Sequence, residues 1–158
     1  MDDNKKKIAF IINPISGTQG KEHILKWLDE KLDKNRYMPE VIYTEWAGHA
    51  VEIAARKAKE EVFAVVAIGG DGTINEIARS LVHTKTALGI IPCGSGNGLA
   101  RHLQIPMEAK KAIDIINEGL IDIIDYGKIN DVPFFCTCGV ADNWQRSRCC
   151  DNTRKGGS

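Results

Sequence analysis

The chain has 158 residues, of which 43% are hydrophobic and 27% are charged, values typical of one ordinary globular domain. Its 21 basic and 21 acidic side chains cancel, which argues against a nucleic-acid partner and against strong electrostatic attraction to a membrane. The N-terminus lacks a signal-peptide pattern and the longest apolar run, Phe63 to Ile68, is too short to cross a bilayer, so we expect a cytoplasmic protein.

The first part of the chain alternates short apolar runs with amphipathic segments. Lys7 to Ile12 predicts a buried strand, and apolar residues at helical spacing predict a helix over Lys21 to Leu32. The next predicted elements are a short strand over Val41 to Tyr43, a helix over Ala50 to Lys59 and a very apolar strand over Val62 to Ile68.

The alternation continues to about residue 119. The predicted elements are a helix over Ile74 to Leu81, a strand over Ala87 to Ile91, a helical stretch over Leu99 to Leu103, and a helix over Met107 to Asn117 capped by Gly119. Strands that alternate with helices predict an α/β fold, with a Rossmann-like, mostly parallel sheet and helices on both faces. Such sheets bind ligands outside the carboxyl ends of their strands.

From about residue 120 the pattern changes. Leu120 to Ile129 and Val132 to Cys138 predict two strands joined by Asn130-Asp131, as at the start of a β-rich domain. Residues 141 to 158 contain no Val, Ile, Leu, Met or Phe, which predicts a disordered or aberrant tail. The expected organisation is an α/β domain over 1–120, the first strands of an incomplete β domain over 121–140, and the tail over 141–158.

Five cysteines are present, and an odd number without a secretory signal argues against a disulfide framework. Cys136-x-Cys138 followed by Cys149-Cys150 does not match the paired C-x-x-C spacing of zinc sites. We interpret the thiols as buried or incidental, with a metal site as the less favoured alternative.

The first candidate motif, Asn13 to Lys21, places small hydroxyl residues and glycines ahead of a helix, where free N–H groups bind anions. It is not a Walker A loop, because Ile15 replaces the first glycine and Glu22 replaces the final Ser or Thr. Taken alone, the segment is explained better by a plain strand-to-helix turn.

The second motif, Gly69 to Glu76, is more specific because three of its first four residues are glycine. Glycines let backbone N–H groups approach a polyanion, and Asp71 suits a metal–phosphate complex or the hydroxyl that attacks it. The segment fails the dinucleotide pattern G-x-G-x-x-G, because Asn75 stands at the third glycine. The alternative is a glycine turn in which Asp71 or Thr73 caps the helix.

The third motif, Pro92 to Arg101, alternates glycine with Ser95 and Asn97 ahead of a helix. Asn97 suits an adenine or ribose edge, or a helix cap. Arg101 suits a phosphate, or a surface acid. Together the motifs indicate nucleotide-dependent phosphoryl transfer.

Four segments in order resemble the catalytic domain of the diacylglycerol kinase and sphingosine kinase superfamily, in its bacterial soluble branch. They are N-P-x-S-G at 13–17, T-x-x-x-G-H-A at 44–50, G-G-D-G-T-x-N-E at 69–76 and P-x-G-S-G-N at 92–97. The resemblance covers about residues 5 to 140. It implies a nucleotide-binding domain that uses ATP and Mg²⁺, with a second, β-rich domain that completes the lipid site and supplies the general base.

The resemblance also implies roles for particular residues. Asp71 would be catalytic, and Asp71 and Asp125 would belong to the magnesium network. The implied nucleotide-binding residues are Asn13, Ser16, Gly17, Lys21, Thr44, Gly70, Gly72, Thr73, Glu76, Ser95, Gly96 and Asn97. The implied partners are ATP and a lipid alcohol, with peripheral contact at the inner face of the membrane and no nucleic acid.

Three alternatives to a diacylglycerol kinase stay open. Many diacylglycerol kinases carry Thr and Asp where Ser95 and Asn97 stand, so a sphingoid-base kinase is one alternative. NAD kinases share the Gly-Gly-Asp-Gly-Thr turn, although the segments at 13–17 and 92–97 argue against them. A domain that only binds nucleotide is the third, because the sequence departs from the family after Gly139.

Other residues of the motif regions receive structural interpretations. His49 suits the start of a helix at least as well as a catalytic role. Trp27 and Trp46 are interpreted as packing residues.

Overall fold

The computed structural model describes residues 4–14, 21–93, 96–124, 126–129 and 132–134. Its main sheet has four parallel strands, β1 (Lys6–Ile12), β2 (Tyr37–Tyr43), β3 (Ala64–Gly69) and β4 (Ala87–Pro92), in the spatial order β2-β1-β3-β4. The described helices are α1 (Lys21–Lys31), α2 (His49–Lys59), α3 (Asp71–Leu81), α4 (Gly98–His102) and α5 (Ala109–Glu118). None of them is both long enough and apolar enough to span a bilayer.

Both faces of the sheet are covered by helices, which explains why its central strands are continuously apolar. Ile8, Phe10 and Ile12 of β1 lie in one hydrophobic cluster with residues of α1 and α5. Ala9 and Ile11 alternate with them and are equally buried on the face where α2 and α3 pack. The α/β fold with helices on both faces, predicted from the sequence, is thus confirmed.

Two of the predicted elements begin three or four residues earlier than the sequence pattern indicated. β2 starts at Tyr37 instead of Val41, because Tyr37 is buried and pairs with Lys6 of β1. The residues between are exposed and include Pro39, as is common on an edge strand, so their apolar signal is weak. α3 starts at Asp71 instead of Ile74, directly after the glycine turn.

The chain divides into two compact units, Met1–Leu120 and Ile121–Ser158. In the second unit, β5 (Gly127–Ile129) pairs in antiparallel fashion with β6 (Val132–Phe134), in agreement with the hairpin-like pair predicted there. The strand predicted to begin at Leu120 is wrong in its first half, since 121–124 are not in a strand and Ile123 is 99% exposed. The predicted turn at 130–131 and the predicted tail over 141–158 lie outside the described residues.

Candidate functional site

A cleft of about 220 Å³ lies at the carboxyl ends of β1, β2 and β3. Asn13 follows β1, Thr44 follows β2 and Gly70 follows β3, and the N–H of Thr44 donates to the carbonyl of Ile12 at 2.9 Å. The order of the strands reverses between β1 and β3, and α/β sheets form their ligand crevices at such points. The described lining consists of Asn13, Thr44, Trp46, Ala47, Gly48, Ala50, Gly70, Gly72, Thr73 and Glu76.

The glycines of the turn after β3 differ in what surrounds them. A Cβ at Gly69 would lie 3.2 Å from the Oγ1 of the buried Thr73, so this glycine serves packing within the protein. A Cβ at Gly72 would meet nothing within 4 Å, although Gly72 lines the cleft. The space beside Gly72 is therefore open to a ligand, and its backbone can be approached closely.

Asp71 joins the turn after β3 to the turn after β4. Its Oδ2 accepts a hydrogen bond from the N–H of Asn97 at 2.9 Å, and its Oδ1 accepts one from the N–H of Gly98 at 2.7 Å. A Cβ at Gly96 would overlap the same Oδ2, so the carboxylate can approach this closely only because residue 96 is glycine. On the other side of the loop, the Nε of Arg101 donates to the carbonyl of Gly96 at 2.9 Å.

Lys21 lies at the first residue of α1 and reaches back to the end of β1. Its Nζ donates to the carbonyl oxygen of Asn13. Burial lowers the pKa of Lys21, and the neighbouring Cys93 opposes that shift. The free thiol of Cys93 has a raised pKa, again because of burial, with Lys21 acting in the opposite sense. A bound anion near Lys21 would offset the cost of burying its charge.

Trp46 and His49 form a stacked aromatic pair on the β2 side of the cleft. Their ring centroids are 3.7 Å apart, and the ring planes are inclined by 16°. The Nδ1 of His49 accepts a hydrogen bond from the N–H of Glu45 at 3.0 Å, which fixes the orientation of the imidazole. Trp46 is 51% exposed, so its interpretation as a packing residue is wrong. The sequence signal that could have placed Trp46 at the cleft is its position just after a strand, between Thr44 and Gly48.

The structure separates the sequence-predicted site residues into groups. Six of them meet in the cleft: Asn13, Thr44, Gly70, Gly72, Thr73 and Glu76. Asp71, Gly96 and Asn97 form a cluster at the turns after β3 and β4, and Lys21 contacts the end of β1. Ser16, Gly17, Ser95 and Asp125 lie outside the described residues. The ligand-binding roles of all these residues stay predictions.

Comparison with known proteins gives a consistent result. Residues 7–129 match the family model described as diacylglycerol kinase catalytic domain. The chain is 35% identical over 132 residues to a diacylglycerol kinase of Staphylococcus saprophyticus, a match that covers 82% of this chain and 43% of that protein. It is 36% identical over 138 residues to a diacylglycerol kinase of Bacillus subtilis strain 168, with coverage of 85% and 45%.

A solved structure extends the similarity to the fold. The crystal structure described as a diacylglycerol kinase from Bacillus anthracis str. Sterne matches with a TM-score of 0.72 and 25% identity, over 83% of this chain and 48% of that one. The chain therefore spans less than half the length of the relatives that it matches. The matched residues include β2, β3, β4 and all but the first residue of β1, together with both turns that Asp71 joins. On these grounds the chain belongs to the diacylglycerol kinase catalytic domain family.

Proposed function

We propose that this chain is the nucleotide-binding part of a lipid kinase that transfers the γ-phosphoryl group of ATP to the hydroxyl of diacylglycerol or a related lipid. The observation that carries the proposal is the cleft at the point where the strand order reverses. Gly72 lines this cleft and has open space beside it, and the Asp71 carboxylate anchors the loop after β4. Phosphoryl transfer is catalysed mainly by positioning and by neutralising charge, and a rigid glycine-lined cleft suits both tasks.

The phosphates are proposed to lie against the turn after β3. Gly70 and Gly72 expose backbone at the start of α3, where the helix dipole and unpaired N–H groups favour anions. Thr73 contributes a hydroxyl from the first turn of the same helix. Lys21, held at the carbonyl of Asn13, supplies a positive charge to the adjoining end of β1.

Magnesium fits the donor groups of this region. Mg²⁺ is usually bound by one or two carboxylates together with substrate phosphates and water. Each carboxylate oxygen of Asp71 accepts a hydrogen bond from a backbone N–H and keeps a further lone pair, and Glu76 adds a carboxylate to the lining of the cleft. We assign Asp71 to the magnesium network, with Asp125 as the second acid that the family resemblance implies. When bound, the ion would neutralise charge on the phosphoryl oxygens.

The names of the relatives suggest which molecule accepts the phosphoryl group. The curated relatives are named diacylglycerol kinases, which makes diacylglycerol the first acceptor to test. A sphingoid base is the second acceptor to test, because Ser95 and Asn97 stand where many diacylglycerol kinases carry Thr and Asp. NAD is the third, because NAD kinases share the Gly-Gly-Asp-Gly-Thr turn. Peripheral contact with a membrane would follow from either lipid acceptor.

The proposal is tested by calorimetric titration of the chain with ATP in the presence and absence of Mg²⁺, followed by transfer assays with labelled ATP. The acceptors are diacylglycerol and a sphingoid base in mixed micelles, and NAD in solution. We expect magnesium-dependent ATP binding and, where transfer occurs, label on diacylglycerol. Label on the sphingoid base or NAD would reassign the acceptor, and binding without transfer would support a domain that only binds nucleotide. Failure to bind ATP under either condition contradicts the proposal.

A further inference from the structure

Trp46 is an exposed aromatic residue on the wall of a cleft. The indole is 51% exposed, although one of its faces is stacked against the imidazole of His49. A large aromatic ring in contact with water costs free energy unless a ligand or partner covers it. Because Trp46 lines the cleft, its exposed surface is available to a ligand there.

The imidazole of the stacked pair is oriented by a hydrogen bond and by its place at the start of α2. The N–H of Glu45 donates to the Nδ1 of His49, and His49 is the first residue of α2. Gly48, which precedes it, has the left-handed backbone angle φ +86°, which makes the sharp turn from Trp46 into the helix. Stacking against this oriented imidazole restrains the indole of Trp46, which reduces the conformational entropy that the indole loses when a flat ligand covers it.

Trp46 and the glycine turn after β3 lie at opposite ends of the cleft. Trp46 follows β2 and Gly70 follows β3, with β1 between them, so the two ends of the cleft are about 10 Å apart at the usual strand spacing. Of the described residues that line the cleft, none is Lys or Arg, so phosphate binding there depends on backbone N–H groups, which the start of α3 supplies at the glycine end. The glycine end suits phosphates, and the aromatic end suits a flat, uncharged ring.

We infer that Trp46, backed by His49, is the platform on which the base of a nucleoside triphosphate stacks. The inference rests on the proposed function, because it requires the triphosphate to lie at the Gly70–Thr73 end of the cleft. Stacking on an aromatic side chain tolerates every base, since each base has a π-face. The platform thus supplies affinity for the base without selecting adenine over guanine.

The test compares ATP with a ligand that has no base. Calorimetry measures the binding of Mg-ATP, Mg-GTP and magnesium tripolyphosphate to the wild-type chain and to Trp46→Ala. We expect Trp46→Ala to weaken ATP and GTP about tenfold and tripolyphosphate hardly at all, because stacking contributes about 1–3 kcal/mol per base. Tyr43→Ala is the matched control, since Tyr43 is 48% exposed nearby but does not line the cleft.

Trp46→Phe keeps an aromatic face and provides a spectroscopic readout. ATP should quench tryptophan fluorescence in the wild type but not in Trp46→Phe, in which Trp27 and Trp144 remain. Trp46→Phe should retain ATP affinity within about threefold. If the wild type binds ATP and Trp46→Ala binds it equally well, or loses ATP and tripolyphosphate to the same degree, the platform is refuted while the proposed function stands. If the wild type binds no nucleotide, the proposed function itself fails.

Discussion

At Gly72 the requirements of folding and binding diverge. A methyl group there meets no protein atom within 4 Å and lies in the first turn of α3, where alanine is favoured over glycine. Gly72 also lines the cleft, so we expect the same methyl group to reduce the space for a ligand. We expect Gly72→Ala to keep or slightly raise the melting temperature and to weaken Mg-ATP binding about tenfold or more, since an intruding methyl typically costs about 1–3 kcal/mol.

Thermal unfolding and calorimetry on the same protein sample check this prediction. Gly70→Ala is a less clean variant, because its Cβ would already lie 3.5 Å from the carbonyl oxygen of Cys93. A Gly72→Ala chain that binds ATP like the wild type would show that the phosphates lie elsewhere.

Gly96 and Asp71 act as one unit. Gly96→Ala places a methyl group where the Asp71 carboxylate now lies, and so breaks its bonds to the N–H groups of Asn97 and Gly98. Each hydrogen bond to a charged group contributes about 1.5–3 kcal/mol, so we expect a clear loss of stability together with loss of nucleotide binding. Asp71→Asn should disturb the same two amides while leaving the fold intact.

Amide chemical shifts and hydrogen exchange at Asn97 and Gly98 report on this unit directly. Asp114→Asn, which replaces an exposed acid of α5 that pairs with Lys31 of α1, is the control. Unchanged amides of Asn97 and Gly98 in both Gly96→Ala and Asp71→Asn would rule out the anchoring role.

Sequence patterns located the glycines and acids of the site but not all of its neighbours. Gly70, Gly72 and Glu76 are defining positions of a motif with a chemical signature, whereas Trp46 stands at a variable position of the segment at 44–50. Tryptophan is more often a packing residue, and only the structure shows that this one is exposed on the cleft wall. The contact between Asp71 and the loop after β4 requires two turns to lie close together in space, and a single sequence does not give that distance.

At the scale of elements, Lys57 connects α2 to the edge strand β2. Its buried amine pairs with Glu40 at 2.7 Å and with Glu60 at 3.0 Å. The hydrogen bond to Glu40 is the main reason that the pKa of Lys57 lies above its usual value of 10.5, with Glu60 adding to it and burial opposing it. Because the pKa of Lys57 is higher in the folded state, its charge contributes fully to the free energy of unfolding below pH 10.5. That contribution disappears as the pH rises through the higher, folded-state pKa.

We therefore expect Lys57→Met to lower the free energy of unfolding by about 1–2 kcal/mol at neutral pH, because both glutamates are half exposed and stay solvated without it. The difference from the wild type should shrink at strongly alkaline pH. Lys85→Met, which removes an exposed pair with Glu61, should change stability by less than about 0.5 kcal/mol. Urea unfolding at neutral and alkaline pH measures both, and a pH-independent Lys57→Met effect would contradict the role of the charge.

The C-terminal cap of α5 is another element-scale contact. Gly119 has φ +67°, and a Cβ there would lie 2.5 Å from the hydroxyl of the buried Tyr37. Gly48 has a similar φ of +86° but open space around it. We expect Gly119→Ala to cost about 2–3 kcal/mol and Gly48→Ala about 1 kcal/mol, since only the first combines strain with overlap.

Tyr37→Phe should recover part of the loss in Gly119→Ala, because it removes the atom that the new methyl group meets. A double-mutant cycle in urea measures this coupling. Equal losses in the free energy of unfolding for the two glycine substitutions, with no coupling to Tyr37→Phe, would contradict this. They would show that backbone strain alone, without overlap with Tyr37, determines the loss at Gly119.

The elements themselves were largely predictable, since strands buried on both faces and amphipathic helices leave strong periodic signals. The differences arise where the signal is weak. Edge strand β2 exposes Pro39 and Glu40, so its first residues do not read as a strand. The apolar run after Leu120 is typical of a strand. A strand needs a neighbouring strand to pair with, and the described residues 121–124 have none.

At the scale of the whole molecule, the strand order β2-β1-β3-β4 is what makes a site of these separate turns. It brings the ends of β1, β2 and β3 around one cleft and sets the loop after β4 beside it. The parallel sheet was predictable from the alternation of elements, and with it the edge at which the site lies. Which turns become neighbours depends on strand order, which packing decides.

The central claim is that a nucleotide binds in this cleft with its phosphates at the turn after β3. The most direct measurement is an NMR titration of the ¹⁵N-labelled chain with Mg-ATP, followed amide by amide. The account predicts saturable shifts concentrated at Gly48, Gly70, Gly72 and Thr73, with Asn97 and Gly98 responding through Asp71. Shifts confined to the α1 and α5 face of the sheet, or no shifts at saturating Mg-ATP, would contradict it.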